Sequence, residues 1–90
     1  MEDTPLNIQK RRQNERKFGT WEELSYGGRR YWYDVAGRFG CSARYIKEVD
    51  SNETILRFYQ EVYNEKGELV EVHQKYPTDV GHKLIKKEER

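Results

Sequence analysis

The chain has 90 residues, of which 37% are charged and 34% hydrophobic, and its formal net charge is +1. This length allows one domain with a thin core, and the small net charge argues against a chain kept unfolded by self-repulsion. The one cysteine, Cys41, excludes an intramolecular disulfide. Seven Tyr, three Phe and two Trp can bury roughly 150–250 Å² each and so replace many aliphatic side chains. Because these residue types favour strands, we predict a mainly β or α+β domain.

Residues 1–17 are predicted to form a basic N-terminal arm. They include no aromatic residue, and six of the nine residues from Gln9 to Lys17 are charged. Thr4 and Pro5 suit the N-cap and first position of a helix, although few apolar residues follow for packing. The arm is interpreted either as an electrostatic grip on phosphates or an acidic partner, or as a solvated leader.

Membrane, metal and cofactor motifs are absent from the sequence. No stretch approaches the roughly 18 consecutive apolar residues that cross a bilayer, and no apolar signal segment opens the chain. We therefore expect a cytoplasmic protein without a membrane partner. His73 and His82 are nine residues apart, which fits no zinc motif, and no phosphate-binding glycine loop precedes a helix. We expect no metal and no cofactor.

The first two strands are predicted on either side of a glycine pair. The first lies within Phe18–Tyr26, and Gly27-Gly28 suits a two-residue hairpin turn into a second strand, Arg29–Ala36. Alternation in the second strand separates its two faces. One face receives Tyr31, Tyr33 and Val35, and the other receives Arg30, Trp32 and Asp34.

A third strand is predicted over Ser42–Val49, followed by a turn at residues 50–53. The length of that turn decides which residue faces Phe58, because a slip of one residue reverses every side chain. A two- or four-residue loop places Tyr45 opposite Phe58, and a three-residue loop places Ile46 there. We prefer Ile46, which leaves Tyr45 beside Tyr59.

A β-hairpin is predicted over residues 55–76, around a turn in which Asn64 starts a type I turn and Gly67 takes the left-handed position. If Asn64 faces Glu68, the register sets Glu61 opposite Glu71 and Tyr59 opposite His73. One face then carries Leu56, Phe58, Val62, Val70, Val72 and Tyr76, and the other carries Arg57, Tyr59, Glu61, Tyr63, Leu69, Glu71, His73 and Lys75. Pro77 interrupts the hydrogen-bond ladder because it lacks a backbone N–H. A short edge strand is predicted over Val80–Ile85, and residues 86–90 are expected to fray.

The candidate catalytic residues are His73, Glu61 and Glu71. Like charges directly opposite in an antiparallel pair are destabilising, so the expected Glu61–Glu71 pair is unusual. If the face is shielded, one carboxyl group could keep its proton and work with His73 in acid–base chemistry. If the face is solvated, Arg57 and Lys75 merely offset the repulsion.

Basic residues interleaved with aromatic residues on strands form a second candidate site. Such a surface can stack unpaired bases on rings while cations hold the phosphates, although it can also be the amphipathic rim of a small core. The candidate RNA-binding residues are Arg29, Arg30, Arg44, Tyr45, Arg57, Tyr59 and Lys75.

Residues 28–84 resemble a family of small uncharacterised prokaryotic proteins. The features that carry the resemblance are the Arg-Tyr strand, the hairpin motif Tyr-Asn-x-x-Gly-x-Leu and the ending His-x-Lys-Tyr-Pro-x-Asp-x-Gly-His. In outline the chain is also similar to TumE-like toxins of toxin–antitoxin pairs, which would imply an RNase role. It departs from them in lacking their Asp-Asn near a His-x-His.

We therefore predict a four- or five-stranded antiparallel meander over residues 18–85 with a basic N-terminal arm, for which a helix is one of the alternatives. The leading functional hypothesis is a binding module that presents the Arg/Tyr face to RNA or to a protein partner. One alternative is a toxin-like ribonuclease in which His73 acts with Glu61 or Glu71, and Arg57 and Arg44 hold the phosphate. The other is an oligomerisation or antitoxin-like module, and a homodimer would cover an exposed sheet face.

Overall fold

The computed structural model describes residues 5–79 and 81–84. The predictions of an N-cap at Thr4 and a frayed tail at residues 86–90 lie outside the described residues, as do the ends of the edge strand at Val80 and Ile85.

The described chain consists of one helix followed by a single antiparallel sheet. The helix α1 spans Leu6–Phe18, and the six strands follow one another across the sheet in chain order. The predicted α+β, mainly β class is confirmed, but the expected four or five strands were too few, because pairing resumes beyond Pro77, where Gln74 lies opposite Gly81. The strands are β1 (Thr20–Glu23), β2 (Arg29–Ala36), β3 (Ser42–Val49), β4 (Ile55–Tyr63), β5 (Leu69–Tyr76) and β6 (Gly81–Leu84).

Helix α1 shows that the basic arm is helical from Leu6 onwards. It ends at Gly19, which has the left-handed φ of 80° and donates its backbone N–H to the carbonyl of Glu15. Asn14 and Phe18 are its buried residues. An isolated helix of 13 residues is only marginally stable in water, so its docking on the sheet must hold it in place.

The core lies between α1 and the middle of the sheet. Phe18, Tyr31 and Val49 are buried together, and Tyr33 and Phe58 pack against them. The ring centroid of Phe18 is 5.8 Å from that of Tyr31 and 5.4 Å from that of Tyr33. Aromatic residues therefore supply most of this small core, as the composition predicts.

The two faces of the sheet differ in what covers them. We call the side that carries Tyr31, Tyr33 and Phe58 the helix face, since α1 packs there over β1 and β2. The opposite side, with Arg30 and Trp32, is the open face. The alternation predicted for β2 is confirmed.

The turns and registers depart from the predictions at three places. Between β1 and β2 the predicted two-residue turn at Gly27-Gly28 is not formed. The backbone N–H of Leu24 bonds the carbonyl of Gly28, so the turn consists of the three residues between them. Between β3 and β4, Lys47 lies opposite Phe58. The preference for Ile46 at that position was wrong, because a β-bulge at the end of β3 shifts the register.

The third departure is a second bulge, in the β4–β5 hairpin. The predicted turn is confirmed: the N–H of Asn64 bonds the carbonyl of Glu68, and Gly67 has a φ of 81°. Tyr63 lies opposite Leu69 as predicted, but the next pair is Val62 with Glu71, so that Val70 is the extra residue. From Glu71 to Gln74 the side chains of β5 are therefore on the opposite face from the one expected. A further register shift between Phe58 and Tyr59 sets Tyr76 opposite Phe58, on the face predicted for it.

In the part of the chain that the structure describes, no helix is both long enough and apolar enough to span a membrane.

Candidate functional site

A row of ring and amide side chains crosses the helix face and ends in two histidines. Strand pairing sets Tyr33 opposite Tyr45, Tyr45 opposite Gln60, Gln60 opposite His73 and His73 opposite His82. The Tyr33 and Tyr45 rings stack with centroids 5.2 Å apart, and the Gln60 amide donates to the Tyr45 hydroxyl over 3.3 Å. The row connects the histidines to the aromatic core through Tyr33, and the strand pairing fixes their positions on the helix face.

The two histidines contact each other directly and each is held by a carboxylate. His73 Nδ1 is 3.1 Å from His82 Nε2. The other ring nitrogen of His73, Nε2, is 2.6 Å from Asp79 Oδ1, and Nδ1 of His82 contacts Glu71 Oε2. The result is a continuous chain, Glu71–His82–His73–Asp79, which we call the histidine network.

The β5–β6 turn places Asp79 at the end of this network. Its Oδ1 accepts a 2.9 Å hydrogen bond from the backbone N–H of Gly81 as well as the contact from His73. The Gly81 N–H and then the His73 ring hold the pKa of Asp79 below its ordinary value, because both stabilise the charged carboxylate. Asp79 is therefore an anion that orients the ring of His73.

The inner nitrogens of the pair, His73 Nδ1 and His82 Nε2, face each other at 3.1 Å, and the outer nitrogens contact Asp79 and Glu71. The tautomers of the two rings decide which nitrogen donates in each contact. An imidazole nitrogen can accept or donate a proton, which is the property that acid–base chemistry requires.

Exposure differs along the network. The side chain of His73 is 15% exposed, that of Glu71 is 26% exposed and that of His82 is 51% exposed. His82 is therefore the more accessible of the two rings to a molecule in solution. His82 also stands on a four-residue edge strand, which is held by one neighbour.

The structure separates two of the residues expected to act together. Glu61 lies opposite Val72, and its Oε1 accepts a 2.6 Å hydrogen bond from Tyr63 on the open face. The expected pairs Glu61–Glu71 and Tyr59–His73 are therefore wrong. The bulge at Val70 is the cause, since it moves Glu71 and His73 to the helix face.

The guanidinium groups of the open face are already occupied by carboxylates. Arg30 bonds Glu48 over 3.0 Å and also contacts Glu22, and Arg57 is 3.7 Å from Glu48. Tyr59 is buried and donates its hydroxyl to Glu48 over 3.1 Å. Burial and this contact with Glu48 raise the pKa of Tyr59 to about 12. These groups form an internal network in which both arginines already have a carboxylate partner.

Arg44 is held in the same way. Its Nε and Nη2 bond the two oxygens of Asp34 at 2.7 and 3.1 Å, and its guanidinium lies 5.4 Å from the centre of the Trp32 ring. The bonds from Arg44 lower the pKa of Asp34.

The remaining candidate RNA-binding residues lie on the helix face. Arg29 bonds Glu15 over 2.7 Å and Glu23 over 2.9 Å, so it joins α1 to the edge of the sheet. Lys75 lies 5.5 Å from the centre of the Tyr45 ring, in the neighbourhood of the histidine row. The seven residues expected on one Arg/Tyr face are therefore divided between two faces.

Sequence reasoning missed the pairing of His73 with His82 and the part played by Asp79. The signal was present: an antiparallel hairpin across Pro77 to Asp79 pairs residues whose numbers sum to 155, as these two do. The nine-residue spacing of His73 and His82 fits no zinc motif, but it fits this strand pairing. In the described residues no group of three or more possible metal ligands is found.

Comparisons with family models, with curated proteins and with solved structures found no match. The resemblance drawn from the sequence motifs stays a prediction.

Proposed function

We propose that this protein is a ribonuclease that cleaves RNA by internal transesterification, with His73 and His82 as its acid–base pair. The observation that supports this proposal best is the histidine network, in which two imidazole nitrogens lie 3.1 Å apart and carboxylates hold both rings in place. RNA suits such a site because its 2′-hydroxyl is the nucleophile, so the protein has only to move protons. General acid–base catalysis of this kind contributes about 10²–10⁴-fold in rate.

In the proposed step the substrate separates the two rings. One imidazole takes the proton of the 2′-hydroxyl as the 2′-oxygen bonds to the adjacent phosphorus. The P–O5′ bond breaks, and the other imidazole gives its proton to the O5′ leaving group. The products are a 2′,3′-cyclic phosphate and a 5′-hydroxyl, and the number of protons on the two imidazoles is unchanged. His82, on the exposed edge strand, is the ring that turns outward.

Glu71 and Asp79 act in this proposal as positioning residues. Each accepts from the outer nitrogen of one imidazole and so leaves the inner nitrogens, His73 Nδ1 and His82 Nε2, to exchange protons with the substrate. Glu61, Arg57 and Arg44, which the ribonuclease hypothesis first included, lie on the open face and have no part in it.

The test is cleavage of a fluorescently labelled single-stranded RNA, with the same oligonucleotide carrying 2′-O-methyl groups as the uncleavable substrate. We expect a 2′,3′-cyclic phosphate product by mass spectrometry and a bell-shaped dependence of rate on pH. His73→Gln and His82→Gln should each lower the rate by about 10²–10⁴-fold. Glu71→Gln and Asp79→Asn should give smaller losses with a changed pH profile.

Glu61→Gln is the matched control. It removes the same charge from the same strand pair but on the open face, so it should cleave RNA at the normal rate. Each variant is purified identically, which controls for contaminating nuclease. Activity that survives in both His73→Gln and His82→Gln, or a wild-type protein that cleaves no RNA, overturns the proposal.

A further inference from the structure

A groove runs between α1 and the helix face, beside the histidine row. Its polar part has a volume of about 420 Å³ and its apolar part about 280 Å³. Lys47, Ile55 and Tyr76 line both parts, so the two are continuous. The groove is thus amphipathic, with one wall from the helix and one from the sheet.

Lysines from both walls converge on this groove. Lys10 and Lys17 are seven residues apart on α1, with Gln13 and Asn14 between them, so they lie along one side of the helix. Lys47 rises from β3 to meet them and donates a 2.9 Å hydrogen bond to Asn14 Oδ1. Three cations therefore border one groove.

Within the described structure the positive charge of the groove is offset only in part, by Glu53, which lines the groove and acts on Lys47 through its charge. Among residues 5–79 and 81–84 no carboxylate forms an ion pair with Lys10, Lys17 or Lys47. Glu53 reaches the groove, but its Oε2 accepts from Arg11 over 3.0 Å. Burial and then the nearby charge of Lys17 lower the pKa of Lys47, which is the effect expected of cations held close together.

The apolar part of the groove offers rings. Phe18 and Phe58 line it, and Tyr76, at its mouth, is 46% exposed. Tyr76 is the exposed ring of the three, and an exposed ring beside cations is the combination that binds single-stranded nucleic acid, since the ring stacks on a base and the cations hold phosphates.

We infer that this lysine groove is the site that binds the RNA backbone next to the histidine pair, with separate backbone phosphates at Lys10 and Lys17, Lys47 between the two walls, and a base against Tyr76. This inference rests on the proposed ribonuclease function and names the binding site for its substrate. Phe58 and Gln60 are two positions apart on β4, and Gln60 lies opposite His73. Strand geometry therefore separates the groove from His73 by roughly 8–12 Å, a distance that a dinucleotide spans.

The experiment measures binding separately from cleavage, by fluorescence anisotropy with the 2′-O-methyl oligonucleotide. The double variant Lys10→Gln/Lys17→Gln should bind about tenfold more weakly. The slope of log affinity against log salt should fall by about 1.4, since each phosphate contact to a single strand contributes about 0.7. Tyr76→Ala should weaken binding about tenfold through lost stacking.

Arg12→Gln/Arg16→Gln is the matched control. It removes the same charge from the same helix, but these two side chains are exposed and are not among the groove residues. It should leave the affinity and the salt slope within about twofold of the wild type. Melting temperatures of both double variants are compared first, and equal values show that α1 is still docked.

The outcomes separate this inference from the proposed function. If wild-type protein cleaves RNA but the lysine double variant binds it normally, the lysine groove is overturned and the ribonuclease stands. If binding depends on the lysines but no RNA is cleaved, the ribonuclease fails and the groove stands as an RNA-binding site. Polyglutamate that competes as well as RNA does would overturn the assignment of the groove to nucleic acid.

Discussion

The hydroxyl of Tyr31 donates a 2.7 Å hydrogen bond to Glu53 Oε1, and both side chains are buried. Asn14 donates to the same oxygen over 3.1 Å, and Arg11 donates to Oε2 over 3.0 Å. One carboxylate thereby connects α1, β2 and the loop between β3 and β4. Glu53 has a left-handed φ of 66°, which is uncommon for a residue other than glycine and is maintained by these contacts.

Replacement of Glu53 by Gln should lower the free energy of unfolding by about 1.5–3 kcal/mol, the range for hydrogen bonds to a charged group. The side chain keeps its size but loses the charge that Arg11 and Asn14 surround, and an amide nitrogen now faces one of the donors. Urea unfolding followed by tryptophan fluorescence measures the change. Glu65→Gln, in the exposed turn of the β4–β5 hairpin, is the control and should be neutral. Equal stability of the two variants would mean that Glu53 does not fasten the helix.

Tyr31 predicts a loss of stability in alkaline solution. Burial and its bond to Glu53 raise the pKa of Tyr31 from 10.0 to about 12, because the ionised phenol would lie unsolvated beside a carboxylate. The contribution of Tyr31 to the free energy of unfolding is complete below pH 10, where the phenol is neutral in both the folded and the unfolded chain. That contribution, on the order of 2 kcal/mol, is lost as the pH rises from about 10 to 12, because the unfolded chain ionises first.

Tyr31→Phe should therefore flatten the alkaline fall of stability while lowering stability at neutral pH, where Glu53 loses a donor. Denaturant unfolding at pH 7, 9, 10 and 11 measures both effects. The fall should shrink without vanishing, since Tyr59 and Tyr63 also have pKa values raised to about 12. Tyr26→Phe, at an exposed ring, should change neither quantity. If the stability of Tyr31→Phe falls with rising pH as steeply as that of the wild type, Tyr31 is not a cause of the alkaline loss of stability.

The backbone around Gly28 leaves no room for a side chain. A Cβ there would lie 2.1 Å from the carbonyl oxygen of Val49 and 3.2 Å from the Cα of Asp50, both of them backbone atoms. Gly28→Ala must push the β1–β2 loop away from the end of β3 and should cost about 3 kcal/mol. At Gly37 a Cβ would meet nothing closer than 3.4 Å, so Gly37→Ala is the control and should be nearly neutral. Similar melting temperatures for the two variants would show that the loop does not pack this closely.

The parts of the fold that local pattern determines could be predicted from the sequence. Alternation located Arg29–Ala36 and Ser42–Val49 with the bounds that the structure shows, because each strand buries one face. The turn from Asn64 to Gly67 was predictable for a different reason, since the Asn64 side chain accepts from the N–H groups of Lys66 and Glu68. Both signals lie within a few residues of the structure they produce.

The candidate site could not be predicted in full, because it depends on a bulge. The extra residue at Val70 has no sequence signature of its own, yet it decides that Glu71 and His73 share a face with His82. The docking of α1 is similarly non-local, since it rests on Phe18 and on the buried contacts of Glu53. The residue types of the site were evident from the sequence, and only the paired strands show which of them meet.

Zinc should bind between the two rings of the histidine network. His73 Nδ1 and His82 Nε2 are 3.1 Å apart, near the roughly 3.3 Å that separates two nitrogens on a tetrahedral zinc ion, and carboxylates hold their outer nitrogens as they do for zinc-bound histidines. Added Zn²⁺ should shift the NMR signals of both imidazoles and inhibit the proposed RNA cleavage, and EDTA should reverse both effects. Mg²⁺ is the control, since it prefers oxygen ligands and should leave the imidazole signals unchanged. His82→Asn should abolish the shift of the His73 signals. Zinc-induced shifts that persist in that variant would show that the two rings do not share one site.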